Sequence, residues 1–224
     1  MKRSIDAALF DLDDVVVRTD KYHYKAWKRL AEEEGWEVDH ETGTLLRGMP
    51  RMQCLDLILK RNHIELPDER KAALASRKNT YLVELLCDLG PDDLLPHVIE
   101  FLDALKARQL KLGLFSLSQN AGVILERLSL RRLFDAVLTG QDDRCTYYNP
   151  DIFLNCAKML AVKPTRCVVF ENIDSAAQFA LDCEMQVIGV GIPDLLQTVT
   201  ESVQDFSAVD IDRLLAHGRV SQDV

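Results

Sequence analysis

Between residues 96 and 190 one pattern recurs, a stretch of helical periodicity followed by a short apolar run. Helices over 96–107, 121–128, 151–160 and 175–183 lead to strands over 111–115, 134–138, 167–170 and 186–190. An earlier apolar run, Ala7 to Phe10, likewise lacks polar alternation. Strands buried on both faces lose the alternation of a half-exposed sheet, and parallel neighbours need a long, usually helical, crossover between them. The pattern therefore predicts an α/β fold, a doubly wound parallel sheet with helices on both faces. The tail adds a weak strand near 206–209 and a helix over 211–217.

The stretch between the first strand and the repeat is different. Tyr22, Ala26, Trp27 and Leu30 recur at helical spacing over 21–34, and Gly35 stops that helix. Residues 36–87 carry only helical signals, including 52–61 and a long helix over 68–86 opened by Pro67 and Asp68. A block without strands inside a strand–helix repeat reads as an inserted helical cap. The expected division is a core of 1–18 and 92–224 and a cap of 19–91, with hinges at Thr19 and near the Gly90-Pro91-Asp92-Asp93 linker.

Charge and composition exclude several classes. A net charge of −9 on 224 residues disfavours binding to nucleic acid or anionic membrane, while leaving room for a small cationic pocket. The first apolar run is too short for a signal peptide, and nothing approaches the ~18 uninterrupted apolar residues of a membrane helix. Six cysteines without a Cys-x-x-Cys pair fit reduced thiols. The expectation is a soluble cytoplasmic monomer acting on a small molecule.

The chemistry gathers at strand ends. Strand one closes in Asp11, Leu12, Asp13 and Asp14, the strand at 111–115 is followed by Ser116 and Ser118, and the strand at 167–170 by Glu171 and Asn172. In a parallel sheet those ends share one edge, where ligands of such sheets bind. Two carboxylates there repel unless a cation or shared proton relieves them. Magnesium takes oxygen ligands, and an aspartate can attack phosphorus. Asp-x-Asp alone also fits a solvated strand end; the conjunction of three strand ends points to a magnesium-assisted phosphoryl site. His40, His63, His97 and His217 show no metal-ligand spacing.

These residues resemble the haloacid dehalogenase superfamily, and within it the β-phosphoglucomutase-like sugar phosphatases and mutases. The resemblance runs from FDLDDVVVRTDKYHYKAWKRLAEEEG through LRGMPR and SRKN to LFSLSQN, NPDIF, VVFENIDSAA and IGVG. It implies a phosphoryl-accepting nucleophile at Asp11, a general acid and base at Asp13, a phosphate-binding hydroxyl at Ser116, and Mg2+ held by Asp11, Asp13, Glu171 and Asn172. It also implies substrate contacts from His23, Arg51, Lys78, Ser118 and Asn120, with Thr19 in the hinge. On periodicity alone Arg51 and Lys78 read as solvated cations, and His23 as a satisfied histidine one turn from Trp27.

Four positions depart from the family pattern: Asp14 for a glycine, Gln119 for a lysine common in the mutases, Tyr147 for the lysine before the NPDIF stretch, and Asn172 for an aspartate that ligates magnesium. The last two offset each other in charge. Such compensation suits a remodelled enzyme and equally a catalytically impaired protein that binds a phosphorylated ligand or a protein partner. Asp142, Asp143, Arg144 and Asp174 are the candidates for replacing the missing charges.

Overall fold

A computed structural model of the chain describes residues 5–142, 149–191, 196–199 and 201–217. Tyr147, Tyr148, Asp143 and Arg144 lie outside the described residues. The chain forms two units, one with residues up to Arg18 and from Gly90 onward, the other Thr19–Leu89.

In the first unit, β1 (Ala7–Asp11), β2 (Lys111–Phe115), β3 (Ala136–Leu138), β4 (Cys167–Glu171), β5 (Gln186–Val190) and β6 (Ser202–Val203) make one sheet in the order β3-β2-β1-β4-β5-β6. Every pairing is parallel. The helices α5 (Val98–Ala107), α6 (Ala121–Arg127), α7 (Pro150–Met159), α8 (Asp174–Asp182) and α9 (Ile211–His217) complete it. Alternation along β1 sorts its side chains. Ala7 and Leu9 enter a core with Ile152 and Phe153 of α7 and Ala176, Ala177 and Ala180 of α8. Phe10 faces the other way, stacked on Phe170 at 4.8 Å and meeting Phe101 and Phe206 edge-on or tilted. Two-residue periodicity then puts Asp11 on the side of Ala7 and Leu9. From β1 the chain winds to β2 and β3 on one side and to β4, β5 and β6 on the other, so the switch point lies at the carboxyl ends of β1 and β4.

Three boundaries depart most from the sequence reading. The strand expected near 206–209 is a single 3-10 turn at Phe206–Ala208, held by Asp205, whose carboxylate accepts from Ser207 N at 2.8 Å; the pairing strand lies earlier, at Ser202–Val203. β3 begins at Ala136 because Asp135 uses its carboxylate to accept from Leu112 N at 2.8 Å. α5 begins at Val98, after His97 adopts φ 61.

The second unit is helical: α1 (Asp20–Glu34), α2 (His40–Leu45), α3 (Arg51–Arg61) and α4 (Asp68–Leu86). Gly35 ends α1 at φ 76, in the left-handed region glycine adopts without penalty. Leu74, Ala75, Lys78, Tyr81 and Leu82 form the buried stripe of α4, so one cation sits among apolar residues. No described helix is long and apolar enough to cross a membrane, and Cys54, Cys87, Cys156, Cys167 and Cys183 are free thiols.

Candidate active site

At the carboxyl end of β1, Asp11 is 1% exposed and both its carboxylate oxygens lack a hydrogen-bond partner. Burial pushes its carboxyl well above the usual carboxylate range, and the charges of Glu171, Asp13 and Asp14 push the same way. The Leu12 N–H opposes the shift without making a well-aligned hydrogen bond. Beyond the strand the chain folds back through Asp14, at φ 61, and Asp14 N donates to Val17 O at 2.7 Å. That conformation explains the glycine of the family pattern at this position. Aspartate is among the few other residues that tolerate it.

The end of β2 supplies a ladder of hydroxyls. Ser116 Oγ donates to Asp13 Oδ2 at 2.9 Å and accepts from Ser118 N at 3.0 Å; Ser118 Oγ in turn accepts from Asn120 N at 3.1 Å. Ser116 and Asn120 are buried. The ladder fixes the loop from 116 to 120 and attaches it to Asp13.

The end of β4 contributes the second acid. Glu171 is fully buried, its Oε1 accepts from Asn172 N at 2.9 Å and Ile173 N at 3.0 Å, and its Oε2 has no partner. Burial, partly opposed by those two N–H groups, lifts its carboxyl to about 8. Asn172 Nδ2 donates to the Asp13 carbonyl at 3.3 Å, which leaves its Oδ1 buried and unpartnered. Four orphaned oxygens, two of Asp11 and one each of Glu171 and Asn172, are the donor type that Mg2+ or Ca2+ takes. Among the described residues no three His, Cys, Asp or Glu side chains are gathered as a ready-made cage. The donor set fits a hard cation that keeps water or substrate oxygens in its remaining positions.

Asp142 and Asp174 are already engaged. Asp142 Oδ2 accepts from Thr139 N at 2.8 Å, and Asp174 Oδ1 from Thr198 N at 2.7 Å, which draws the Asp174 carboxyl below its ordinary value.

Within the helical unit, His23 of α1, Arg51 of α3 and Lys78 of α4 come together. Lys78, 2% exposed, has its Nζ 3.3 Å from His23 Nδ1 and 4.9 Å from the centre of the Trp27 ring. Arg51 Nη2 donates to Asn79 Oδ1 at 2.8 Å. Burial, then Lys78, then Arg51 hold the His23 imidazole well below its usual range, so near neutral pH it is uncharged and Nδ1 is free to accept from the ammonium. The cluster therefore carries two cations, not three. Thr19, also buried, begins this unit, and its carbonyl accepts from Tyr22 N and His23 N. The sequence reading missed Trp27 and Asn79 as partners of the cations; the available signal was that Lys78 falls on the same stripe as Leu74, Tyr81 and Leu82.

Comparison with known proteins gives the arrangement a context. The β-phosphoglucomutase of Bacillus subtilis is 35% identical over 187 residues, 83% of each chain. The fructose-1-phosphate phosphatase YqaB of Escherichia coli is 32% identical, over 81% of this chain and 94% of that protein. The crystal structure of β-phosphoglucomutase from Clostridium difficile superposes with a TM-score of 0.83 at 31% identity, covering 94% of this chain and 95% of that one. The family model described as haloacid dehalogenase-like hydrolase matches residues 5–180, and the chain belongs to that family.

Proposed function

We propose that the chain is a magnesium-dependent phosphoryl-transfer enzyme acting on a small phosphorylated metabolite, most consistently a sugar phosphate, as a phosphatase or a β-phosphoglucomutase-like mutase. The observation that carries this reading is the group of orphaned oxygens of Asp11, Glu171 and Asn172 at the switch point of the sheet, with the Ser116 hydroxyl bonded to Asp13. The names of the B. subtilis and E. coli relatives support the substrate class.

Asp11, Asp13, Glu171 and Asn172 would hold the Mg2+. Bound there, the cation supplies positive charge that favours ionised carboxylates and offsets charge on phosphoryl oxygens. Ionised Asp11 attacks phosphorus; the new bond is Asp11 oxygen to phosphorus, and the ester oxygen leaves with its electron pair. Asp13 gives that oxygen a proton and takes one back from the water or sugar hydroxyl that later attacks the aspartyl-phosphate. Ser116 holds a phosphoryl oxygen and orients Asp13. Ser118, Asn120, His23, Arg51 and Lys78 bind the substrate, and Thr19 serves as the hinge.

A second reading is a catalytically impaired protein that binds a phosphorylated ligand or a protein partner. It rests on Tyr147 and Asn172. The observation in its favour is that Asn172 spans to the Asp13 carbonyl with a neutral amide where a carboxylate would bring charge to a cation.

One experiment separates the two. Phosphorylated metabolites are screened with Mg2+ against the native chain and Asp11→Asn. The enzyme reading expects turnover that falls at least about a thousandfold in the variant, the scale of losing a nucleophile. Equal and negligible signals from both chains would favour the binder.

A further inference from the structure

The hydroxyl ladder after β2 rests on a second loop that no motif singled out, the turn from Thr139 to Asp142 after β3. Gln141 reaches across with Nε2 to donate to the main-chain carbonyl of Gln119 at 2.9 Å, in the middle of the 116–120 loop. Gly140 lies against the same loop: a Cβ there would sit 2.2 Å from Leu117 O, 2.8 Å from Leu117 C and 2.9 Å from Ser118 C. Those are backbone atoms, which cannot swing aside as a side chain would. The turn is itself braced. Asp142 Oδ2 accepts from Thr139 N at 2.8 Å and from Thr139 Oγ1 at 3.3 Å, and Asp142 N donates to Thr139 O at 2.8 Å. Ser116 N donates to Leu138 O at 3.0 Å, so the sheet registers the two loops at their roots.

We propose that the Thr139–Asp142 turn is a positioning clamp for the Ser116–Asn120 loop, with Gln141 tying it through a hydrogen bond and Gly140 setting its approach by having no side chain. Neither residue touches a phosphoryl group. They act through Ser116, Ser118 and Asn120, by holding the hydroxyl ladder at one distance from Asp13. The clamp deepens the functional reading above and rests on it for the ligand, an inorganic or esterified phosphate. The mechanical part rests on contacts within the unliganded chain.

The test uses the full chain, Gln141→Ala, the near-isosteric Gln141→Glu, and Gly140→Ala. Two readouts are taken. The first is hydrogen exchange of the Ser118 and Asn120 amides, which the ladder protects. The second is the Kd for orthophosphate with Mg2+ present, by calorimetry. Gln141→Ala should speed exchange at both amides and weaken orthophosphate roughly three- to tenfold, the factor one neutral hydrogen bond carries. Gln141→Glu should do no better, because a carboxylate cannot donate to the Gln119 carbonyl. Gly140→Ala should lose more, since the loop must shift away from backbone atoms that cannot swing aside. A merely structural role would lower the melting temperature and leave the orthophosphate Kd alone. Native exchange at Ser118 and Asn120 in all variants overturns the clamp, and so does an unchanged orthophosphate Kd in a chain that binds phosphate. Faster exchange in variants of a chain that binds no phosphate supports the clamp and refutes the phosphoryl reading instead.

Discussion

In the core, Asp11 and Glu171 are buried carboxyl groups with oxygens that meet no donor, whereas in the helical unit the buried Lys78 ammonium has a neutral imidazole 3.3 Å away and an indole ring within 4.9 Å. Both sites collect like charge away from water, a costly arrangement without partners. The helical unit meets that cost locally. His23 is held uncharged and accepts from Lys78, the Trp27 face offers its negative quadrupole, and Arg51 has Asn79. The core leaves its oxygens open and lifts its carboxyls toward the protonated form. Under the proposed function, the self-balanced helical site would receive the anionic part of the substrate, and the unmatched acceptors of the core would receive a cation.

The largest effect that sharpens this contrast is the response of the cation-free chain to pH. Glu171 has a folded value of about 8 against an ordinary 4.5, so between those limits the folded state holds a proton that the unfolded state has lost. Stability must therefore fall as pH rises from about 4.5 to about 8 and level off above, and Asp11 contributes in the same direction. Denaturant unfolding of the cation-free chain should follow that slope. Glu171→Gln should flatten it and gain stability at pH 8 of order a few kcal/mol, since an uncharged amide avoids the desolvated carboxylate. Mg2+ should raise the native melting temperature more at pH 8 than at pH 5 and release protons on binding at the lower pH. A flat pH profile in the native chain would mean that the core is as self-sufficient as the helical unit.

The next effect probes the other side. Lys78→Met replaces a buried cation with an apolar chain of similar length, which removes a desolvated charge and leaves His23 Nδ1 without its donor. The His23 imidazole should then titrate closer to its usual range by NMR, though not all the way, because burial is the larger cause of its shift. Affinity for a sugar phosphate should drop by at least about tenfold, as expected for a charge-assisted contact. An unmoved His23 titration would show that the ammonium does not hold the ring neutral.

How far these features could be read in advance follows the same division. The parallel sheet was legible because apolar runs and helical stretches have different periods; that pattern put Asp11, Asp13, Ser116, Glu171 and Asn172 at strand ends along one edge, and the resemblance added only the roles expected of them. The failures were local. Phe206 and Val209 look like strand residues, yet Asp205 reaches Ser207 N and turns the chain instead. Asp135 belongs to an apolar strand pattern but spends its carboxylate on Leu112 N. Periodicity alone assigned Lys78 to solvent, although its position on the Leu74–Leu82 stripe argued for burial. Gln141 left no trace at all, because it acts on a main-chain carbonyl and a carbonyl has no sequence.

The smallest effect, Asn172→Asp, carries a change of sign. The native amide donates to the Asp13 carbonyl and keeps its oxygen buried without a hydrogen-bond partner. A carboxylate loses that donor, sets an oxygen against the carbonyl, and adds an anion beside two acids already forced toward protonation. Without a cation the variant should therefore be less stable than the native chain by about 1 kcal/mol or slightly more, the net worth of one hydrogen bond plus the repulsion. With Mg2+ the added charge becomes attractive, so calorimetry should show tighter binding and the stability order should reverse at saturating metal. No helical-unit substitution is expected to reverse in this way, because Lys78 and Arg51 have their neutral partners with or without a metal. If Mg2+ affinity is the same in both chains, Asn172 is no ligand and its amide serves only to brace the Asp13 carbonyl. If Mg2+ stabilises neither chain, the orphaned oxygens do not belong to a cation site, and the contrast between an open core and a self-balanced helical unit fails with them.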